Sequence, residues 1–128
     1  MCTTLPRSSR PRKAEFDQAP FGTIGLETAL AAVLTHLVEP GELSLSRAIE
    51  AMSTTPSRIL GAHDHGGPIA PGRPANLVTI DPAAGWTVEP PFASKSRNSA
   101  FLGRVLRGKV VHTMLRGVLV VVDGKAQR

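Results

Sequence analysis

The chain has 128 residues, 41% of them apolar, and a formal net charge of +5. This length fits one ordinary domain, and no apolar run approaches the roughly 20 residues that a membrane-spanning helix needs. A single cysteine, Cys2, excludes an internal disulfide bond, and a reducing cytoplasm is the simplest compartment for such a chain. The charge by itself raises nucleic acid as a partner, so its placement along the chain has to be considered.

The basic excess is concentrated at the start of the chain. Residues 1–15 include the segment "PRSSRPRK", whose four cations are Arg7, Arg10, Arg12 and Lys13. The segment has no hydrophobic periodicity and no aromatic side chains on which bases could stack. We therefore expect residues 1–15 to form a disordered basic tail, and we do not expect nucleic acid as a partner.

Residues 16–65 are predicted to be helical. "GLETALAAVLTHLVEPG" carries one apolar helical stripe that Pro40 and Gly41 end; its members are Leu26, Leu30, Val33, Leu34 and Leu37. "ELSLSRAIEAMS" predicts a second helix with Ser44 as its N-cap. "TTPSRILG" predicts a third, with Thr55 at the cap, Pro56 in the first turn and Gly61 in a left-handed exit.

Residues 66–128 are predicted to form strands. A β-branched run from Leu77 to Ile80 predicts one strand, and "GWTVEP" predicts a separate extended segment. "KVVHTMLRGVLVVVDGK" predicts two strands joined at Arg116-Gly117, with a further turn at Asp123-Gly124. Helices followed by strands, without βαβ alternation, indicate two incomplete pieces of a larger fold.

Two patterns have the outline of a ligand site. His63 and His65 flank Asp64, a spacing that metal sites use, but glycines on both sides favour a solvated connector. Gly103–Lys109 resembles a phosphate-binding loop, but Val110 stands where that loop needs Ser or Thr. A strand is predicted where the phosphate would need a helix N-terminus, so we interpret this segment as a β-edge with basic side chains in water.

The remaining polar residues do not form a catalytic centre. His36 on the first helix and His112 on a strand have no identifiable partner, and each is expected to have a packing or surface role. The serines of the helical half, Ser44, Ser46, Ser53 and Ser57, are explained by caps and turns. From residue chemistry alone, we predict no catalytic residue and no metal ligand in this chain.

Several phrases resemble the dihydroorotase family, most closely the bacterial form. The likeness covers Glu15 to the C-terminus and is strongest in Ala19-Pro20-Phe21-Gly22, in Gly25-Leu26-Glu27-Thr28 and in the phrase from Gly72 to Pro82. Dihydroorotases are cyclic amidohydrolases of the metallo-dependent hydrolase superfamily. The resemblance implies an α/β fold: the last helices of an amidohydrolase TIM barrel, followed by part of a flanking small β-sandwich domain.

This resemblance divides the chain into three parts. Residues 1–15 would be the basic tail, residues 16–65 a terminal barrel loop with its helices, and residues 66–128 the strands of the small β domain. The implied reaction hydrolyses the cyclic amide of dihydroorotate, or forms it from N-carbamoyl-aspartate, in pyrimidine biosynthesis.

The family's chemistry uses zinc to activate water and an aspartate to move the proton. By the family spacing, Thr3 stands in place of that aspartate and Arg7 in place of a substrate-binding histidine. Zinc belongs to the full-length family, and its ligands are expected on earlier strands, so we expect this chain alone to hold no zinc and to be inactive.

The resemblance carries one binding assignment over to this chain. In the family the Phe-Gly pair closes over the substrate ring, largely through backbone groups, and here that pair is Phe21 and Gly22. Glycine permits close approach of the main chain to a ligand, which gives the assignment a physical reason. The alternative is a hydrophobic staple in which Phe21 packs on the following helix.

Other functions stay open at this point. The chain could be a noncatalytic dihydroorotase-like partner of another enzyme, such as a carbamoyltransferase, or a basic-tailed binding module. It could also belong to an enzyme for another cyclic amide, such as allantoinase. An exposed apolar helix face would favour a homo-oligomer.

Overall fold

The computed structural model describes residues 22–127. The predicted basic tail, Thr3, Arg7 and Phe21 lie outside these residues. Within them, helical segments come first and a four-stranded antiparallel sheet follows. None of the helices in this part of the chain is long and apolar enough to cross a lipid bilayer.

The first helical segment is shorter at its start than its apolar stripe indicated. It consists of α1 (Ala29–Val33), which continues into a π-helical turn, Leu34–Val38. Leu26 lies before the helix and is 93% exposed, so it does not belong to the buried stripe. Ala31 and Leu34 are the buried residues of this segment.

The second helical segment is continuous where the sequence predicted two helices. It runs from α2 (Leu45–Ile49) through a π-helical turn (Glu50–Thr54) into α3 (Thr55–Leu60). The Ser44 cap is confirmed, because its hydroxyl accepts a hydrogen bond from the Arg47 N–H. Gly61 is in the left-handed conformation, with a φ of 67°, as predicted.

The predicted cap at Thr55 is wrong. Thr55 has helical backbone angles, and its N–H donates to the carbonyl of Glu50, five residues back. Pro56 has no N–H to donate, so a conventional helix would lose a bond at this point. The wider π-helical turn accommodates the proline without ending the helix.

The sheet has the order β1-β2-β3-β4, with strands β1 (Leu77–Thr87), β2 (Val105–Leu115), β3 (Val118–Val122) and β4 (Lys125–Ala126). The predicted hairpin turns are confirmed: Arg116 and Gly117 both have positive φ, as do Asp123 and Gly124. Such paired positive angles match the twist of the flanking strands.

Strand β1 unites the two segments that were predicted as separate strands. Residues 82–84 form a bulge opposite Gly108, between the pairs Asp81↔Lys109 and Gly85↔Arg107. One carboxylate oxygen of Asp81 accepts hydrogen bonds from the N–H groups of Ala83 and Ala84, at 2.9 and 3.1 Å. The bulge absorbs Pro82, which could not donate a ladder hydrogen bond, and lets the strand continue.

The core lies between the first helical segment and the sheet. Ala31, Val88 and Leu106 form its centre, and three aromatic side chains pack around them: Trp86, Phe92 and Phe101. The Thr35 hydroxyl accepts a hydrogen bond from the Arg107 N–H at 2.7 Å, which ties the helix to the outer edge of β2. The helical and sheet halves therefore share one core.

An apolar groove of about 350 Å³ remains open beside this core. Its lining comes from both helical segments and from β1, and includes Leu30, Ile49, Met52, Leu77 and Ile80. Ile49 and Met52 are about two fifths exposed there.

Candidate functional site

Gly22, the described member of the predicted substrate pair, begins a short loop before α1. Its φ is +77°, a region that side-chain-bearing residues rarely occupy. A Cβ on Gly22 would meet no atom within 4 Å among the described residues. The glycine is therefore required by its backbone conformation, and residues 22–127 leave the space beside its Cα open.

The loop is fixed to a distant segment around Asn98. The Asn98 side-chain amide donates a hydrogen bond to the Gly22 carbonyl oxygen. In the opposite direction, the Asn98 carbonyl oxygen accepts from the Ile24 N–H at 2.8 Å and from the Thr23 hydroxyl at 2.9 Å. The Thr23 hydroxyl oxygen accepts from the Ala100 N–H at 3.2 Å. We name this set of contacts, Gly22–Ile24 with Asn98–Ala100, the loop latch.

A second attachment lies at the other end of the loop. The two carboxylate oxygens of Glu27 accept hydrogen bonds from the N–H groups of Ala93 and Ser94, at 3.1 and 3.0 Å. Hydrogen bonds from the Ser94 side chain and backbone, and then from the Ala93 backbone, lower the pKa of Glu27, although partial desolvation opposes the shift. Glu27 therefore acts as an ionised clamp rather than as a proton donor at neutral pH.

Thr28 completes the attachment of the loop to the core. It is 2% exposed, and its hydroxyl donates to the Gly25 carbonyl oxygen at 3.3 Å. Ile24 forms an isolated parallel bridge with Ser99, which is itself 7% exposed. Within the phrase Gly25-Leu26-Glu27-Thr28, Glu27 thus binds the segment at Ala93 and Ser94, and the buried Thr28 bonds back to Gly25.

The arrangement is suited to binding and carries no acid–base pair. The described part of the chain places backbone groups of Gly22 and Thr23 at an open surface, with Asn98 behind them. Backbone N–H and C=O groups can hold the polar atoms of a small cyclic ligand.

The histidine pair belongs to a different segment, the connector after α3. His63, Asp64 and His65 are all exposed in the connector after α3, as the solvated-connector interpretation predicts. The carbonyl oxygen of His63 accepts a hydrogen bond from Arg73, and that of Asp64 accepts one from Asn76. These bonds order the backbone of the connector, and within residues 22–127 no third His, Cys, Asp or Glu side chain groups with the two imidazoles.

Residues 22–127 contain no group of three His, Cys, Asp or Glu side chains that could hold a metal ion. The donor set in this part of the chain therefore does not fit a zinc site.

The two isolated histidines have local contacts. The His36 ring stacks against Phe101, with ring centroids 6.0 Å apart. His112 accepts a hydrogen bond from the Asp123 N–H at 3.4 Å, and its Nε2 lies 3.9 Å from the Asp123 carboxylate. Both histidines belong to packing and turn contacts, as their sequence context predicted.

The segment that outlines a phosphate-binding loop forms a strand. Gly103 lies in a turn, and Val105–Leu115 is β2, so the segment has no helix N-terminus behind it. Arg107 and Lys109 are exposed. At Arg107 the interpretation of a β-edge is correct, because the backbone N–H on that side of β2 bonds to the Thr35 hydroxyl and not to a strand. Farther along, at Thr113–Leu115, β2 also pairs with β3 and is an inner strand.

Sequence reasoning missed Asn98, Ser94 and Ala93 as partners of the loop. They lie 66 to 76 residues from their partners in the loop, and no local pattern marks such a pairing. The one available signal is the polar run "SKSRNS", which interrupts the hydrophobic segments and follows no strand or helix period.

Comparison with known proteins assigns the chain to a protein family. The amidohydrolase family model matches residues 17–120. The dihydroorotase of Streptomyces coelicolor is 42% identical over 121 residues, which cover 94% of this chain and 28% of that protein. The dihydroorotase of Chlorobaculum tepidum is 46% identical over 107 residues, which cover 83% of this chain and 24% of that protein. The chain thus spans about a quarter of the length of these relatives.

Solved structures of related enzymes have the same fold over this length. The L-hydantoinase (dihydropyrimidinase) from Arthrobacter aurescens matches with a TM-score of 0.74 and 33% identity, covering 86% of this chain and 25% of that one. The D-hydantoinase (dihydropyrimidinase) from Thermus sp. matches with a TM-score of 0.71 and 27% identity, covering 88% and 25%. The predicted resemblance to bacterial dihydroorotases is confirmed, and the chain belongs to the amidohydrolase family.

Proposed function

We propose that the chain is the substrate-loop segment of a dihydroorotase-type cyclic amidohydrolase. In this reaction water opens the cyclic amide of dihydroorotate and yields N-carbamoyl-aspartate, and the reverse reaction closes the ring in pyrimidine biosynthesis. The observation that carries the proposal is the fixed loop at Gly22, which lies in a region 42% identical to a dihydroorotase.

The proposal assigns binding to the loop and chemistry to other parts of such an enzyme. Phe21 and Gly22 would contact the ring of the substrate, with Gly22 approaching through its backbone. Residues 22–127 contribute no metal group. We therefore propose that zinc and the proton-transferring carboxylate belong to the intact amidohydrolase, and that this chain alone is inactive and binds no stoichiometric zinc.

The wider architecture is part of the same proposal. The helices after Thr28 would be the last helices of a TIM barrel, and β1 to β4 would be part of the flanking β-sandwich. We also propose that the chain divides into a basic tail (1–15), a barrel loop with helices (16–65) and β-domain strands (66–128), and that the protein is cytoplasmic. The open groove between α2 and β1 favours association with a second protein surface, either another copy or a carbamoyltransferase.

A different cyclic amide is the second candidate substrate. The two hydantoinase structures share the fold of this region at TM-scores of 0.74 and 0.71, so the fold itself does not select dihydroorotate. The sequence favours dihydroorotate, because the dihydroorotase relatives reach 46% identity.

The inactivity of the isolated chain can be tested directly. The purified chain is incubated with L-dihydroorotate, hydantoin and allantoin in the presence of zinc, and ring-opened product is measured. We expect no turnover above the buffer rate. Turnover that copurifies with the chain in proportion to its zinc content would overturn the proposed inactivity.

A further inference from the structure

Within the loop latch, Asn98 contacts the loop through both its side chain and its main chain. Asn98 uses its side-chain amide on the Gly22 carbonyl oxygen, and its own carbonyl oxygen on Thr23 and Ile24. The main-chain contacts use the carbonyl oxygen of residue 98, which is present whatever side chain stands there. The contact to Gly22 depends on the asparagine side chain alone.

This contact sets the orientation of one peptide group. A trans peptide is planar, and its C=O and N–H point in opposite directions. Because the Gly22 carbonyl points toward Asn98, the N–H of Thr23 points to the other side. No acceptor within residues 22–127 takes a hydrogen bond from that N–H.

The position of Asn98 is itself well supported. Its neighbour Ser99 is 7% exposed and bridges to Ile24, and the Ser99 hydroxyl accepts a hydrogen bond from the Phe101 N–H at 3.2 Å. Phe101 packs against the core. The side chain that orients Gly22 therefore extends from a rigid part of the structure.

We propose that Asn98 is a positioning residue for ligand binding at the loop: it orients the Gly22–Thr23 peptide so that the Thr23 N–H faces a ligand oxygen. The ligand class is a small ring that presents a carbonyl or carboxylate acceptor. This inference rests on the proposed function, since it names the donor that the substrate loop presents and the residue that aims it.

The test compares two isosteric substitutions in the full-length chain. N98D keeps the shape of the side chain but replaces the donor by a carboxylate that cannot donate when ionised. N76D makes the same chemical change at another half-buried asparagine, whose amide donates to Asp64. The variants are labelled with nitrogen-15, and backbone relaxation, amide exchange and L-dihydroorotate titrations are measured by NMR.

The expected result separates orientation from general folding. In N98D, fast motion at Gly22 and Thr23 increases while the Ile24 amide stays protected, because its acceptor is the main chain of residue 98. In the unmodified chain, L-dihydroorotate shifts the Thr23 amide, and in N98D the dissociation constant rises about tenfold, which corresponds to one lost hydrogen bond. N76D leaves both measurements unchanged.

Each alternative outcome has a separate meaning. Unaltered motion at Gly22 in N98D, or equal dihydroorotate affinity in both chains, overturns the positioning role. Loss of protection at Ile24 in N98D also overturns it, since Asn98 would then support the fold as a whole. If the unmodified chain shows no shift with dihydroorotate, the proposed substrate loop fails, whereas the relaxation data still decide whether Asn98 orients Gly22.

Discussion

Leu34 of the first helical segment lies directly over Gly108 of β2. A Cβ on Gly108 would overlap Leu34 Cδ1 and stand 3.3 Å from its Cγ, and the φ of Gly108 is +96°. The Gly108 carbonyl oxygen accepts a hydrogen bond from the Trp86 indole N–H at 3.0 Å. This glycine therefore sets the distance between helix and sheet at the β1 bulge.

We expect G108A to destabilise the chain by roughly 3 kcal/mol, because it combines backbone strain with overpacking. Urea denaturation measures the free energy of unfolding. G85A is the matched control, since a Cβ there would meet Val105 at an ordinary 3.9 Å. L34A alone also destabilises the chain, because Leu34 is 3% exposed. In a double-mutant cycle the loss for L34A with G108A should therefore be smaller than the sum of the two single losses. Additive losses would contradict the overpacking of Gly108 by Leu34.

Thr35 supplies the hydrogen bond that covers the outer edge of β2. T35V keeps the side-chain shape and removes the hydroxyl that accepts from the Arg107 N–H. We expect a loss of about 1–2 kcal/mol, since the Arg107 N–H is left without this partner. T87V, at an exposed position of β1, should change the unfolding free energy by less than about 0.5 kcal/mol. Equal effects of the two variants would contradict the role of Thr35.

The Glu27 clamp predicts a pH dependence of stability. Its pKa in the folded chain lies below the ordinary value of 4.5, so its stabilising contribution is complete above that value and is lost as the pH falls through the folded pKa. The stability difference between the unmodified chain and E27Q should therefore be largest near neutral pH and shrink in acid. Denaturation curves at several pH values measure it.

Glu42 offers the control for this experiment. It is exposed in the connection between the helical segments, and E42Q should leave the pH profile of the unmodified chain in place. A difference between the unmodified chain and E27Q that is independent of pH would contradict the ionised clamp.

The His63 and His65 pair provides a test of metal binding. Both side chains are exposed, and no third ligand groups with them among the described residues. Equilibrium dialysis against zinc should give well below one equivalent per chain, and the double variant H63A/H65A should bind the same amount. One tightly bound zinc that the double variant loses would contradict this prediction.

Local signals in the sequence predicted the features that neighbouring residues determine. Ser44 caps α2, Gly61 ends α3, and the Arg116-Gly117 turn joins β2 to β3. Each depends on a side chain or backbone angle within a few residues, and such rules act over that range.

The features that were missed depend on contacts across the chain or on rare backbone geometry. Thr55 looked like a cap because Pro56 usually begins a helix, but a π-helical turn carries the helix past it. The bulge after Asp81 lets β1 continue through Pro82 and Gly85, where the sequence predicted two separate strands. The Asn98 contact to Gly22 spans 76 residues, and no sequence pattern near either residue predicts it.

The substrate assignment is tested most directly by a chimera with the Streptomyces coelicolor dihydroorotase, which is 42% identical to this chain. Its matching segment is replaced by this chain from Glu15 onward, so that all of the host sequence before that segment is retained. Circular dichroism and zinc content establish that the chimera is folded and loaded. We predict that it hydrolyses L-dihydroorotate in preference to hydantoin and allantoin, and that G22A reduces this activity. A folded, zinc-loaded chimera that does not turn over dihydroorotate, or that prefers hydantoin, would contradict the proposed function.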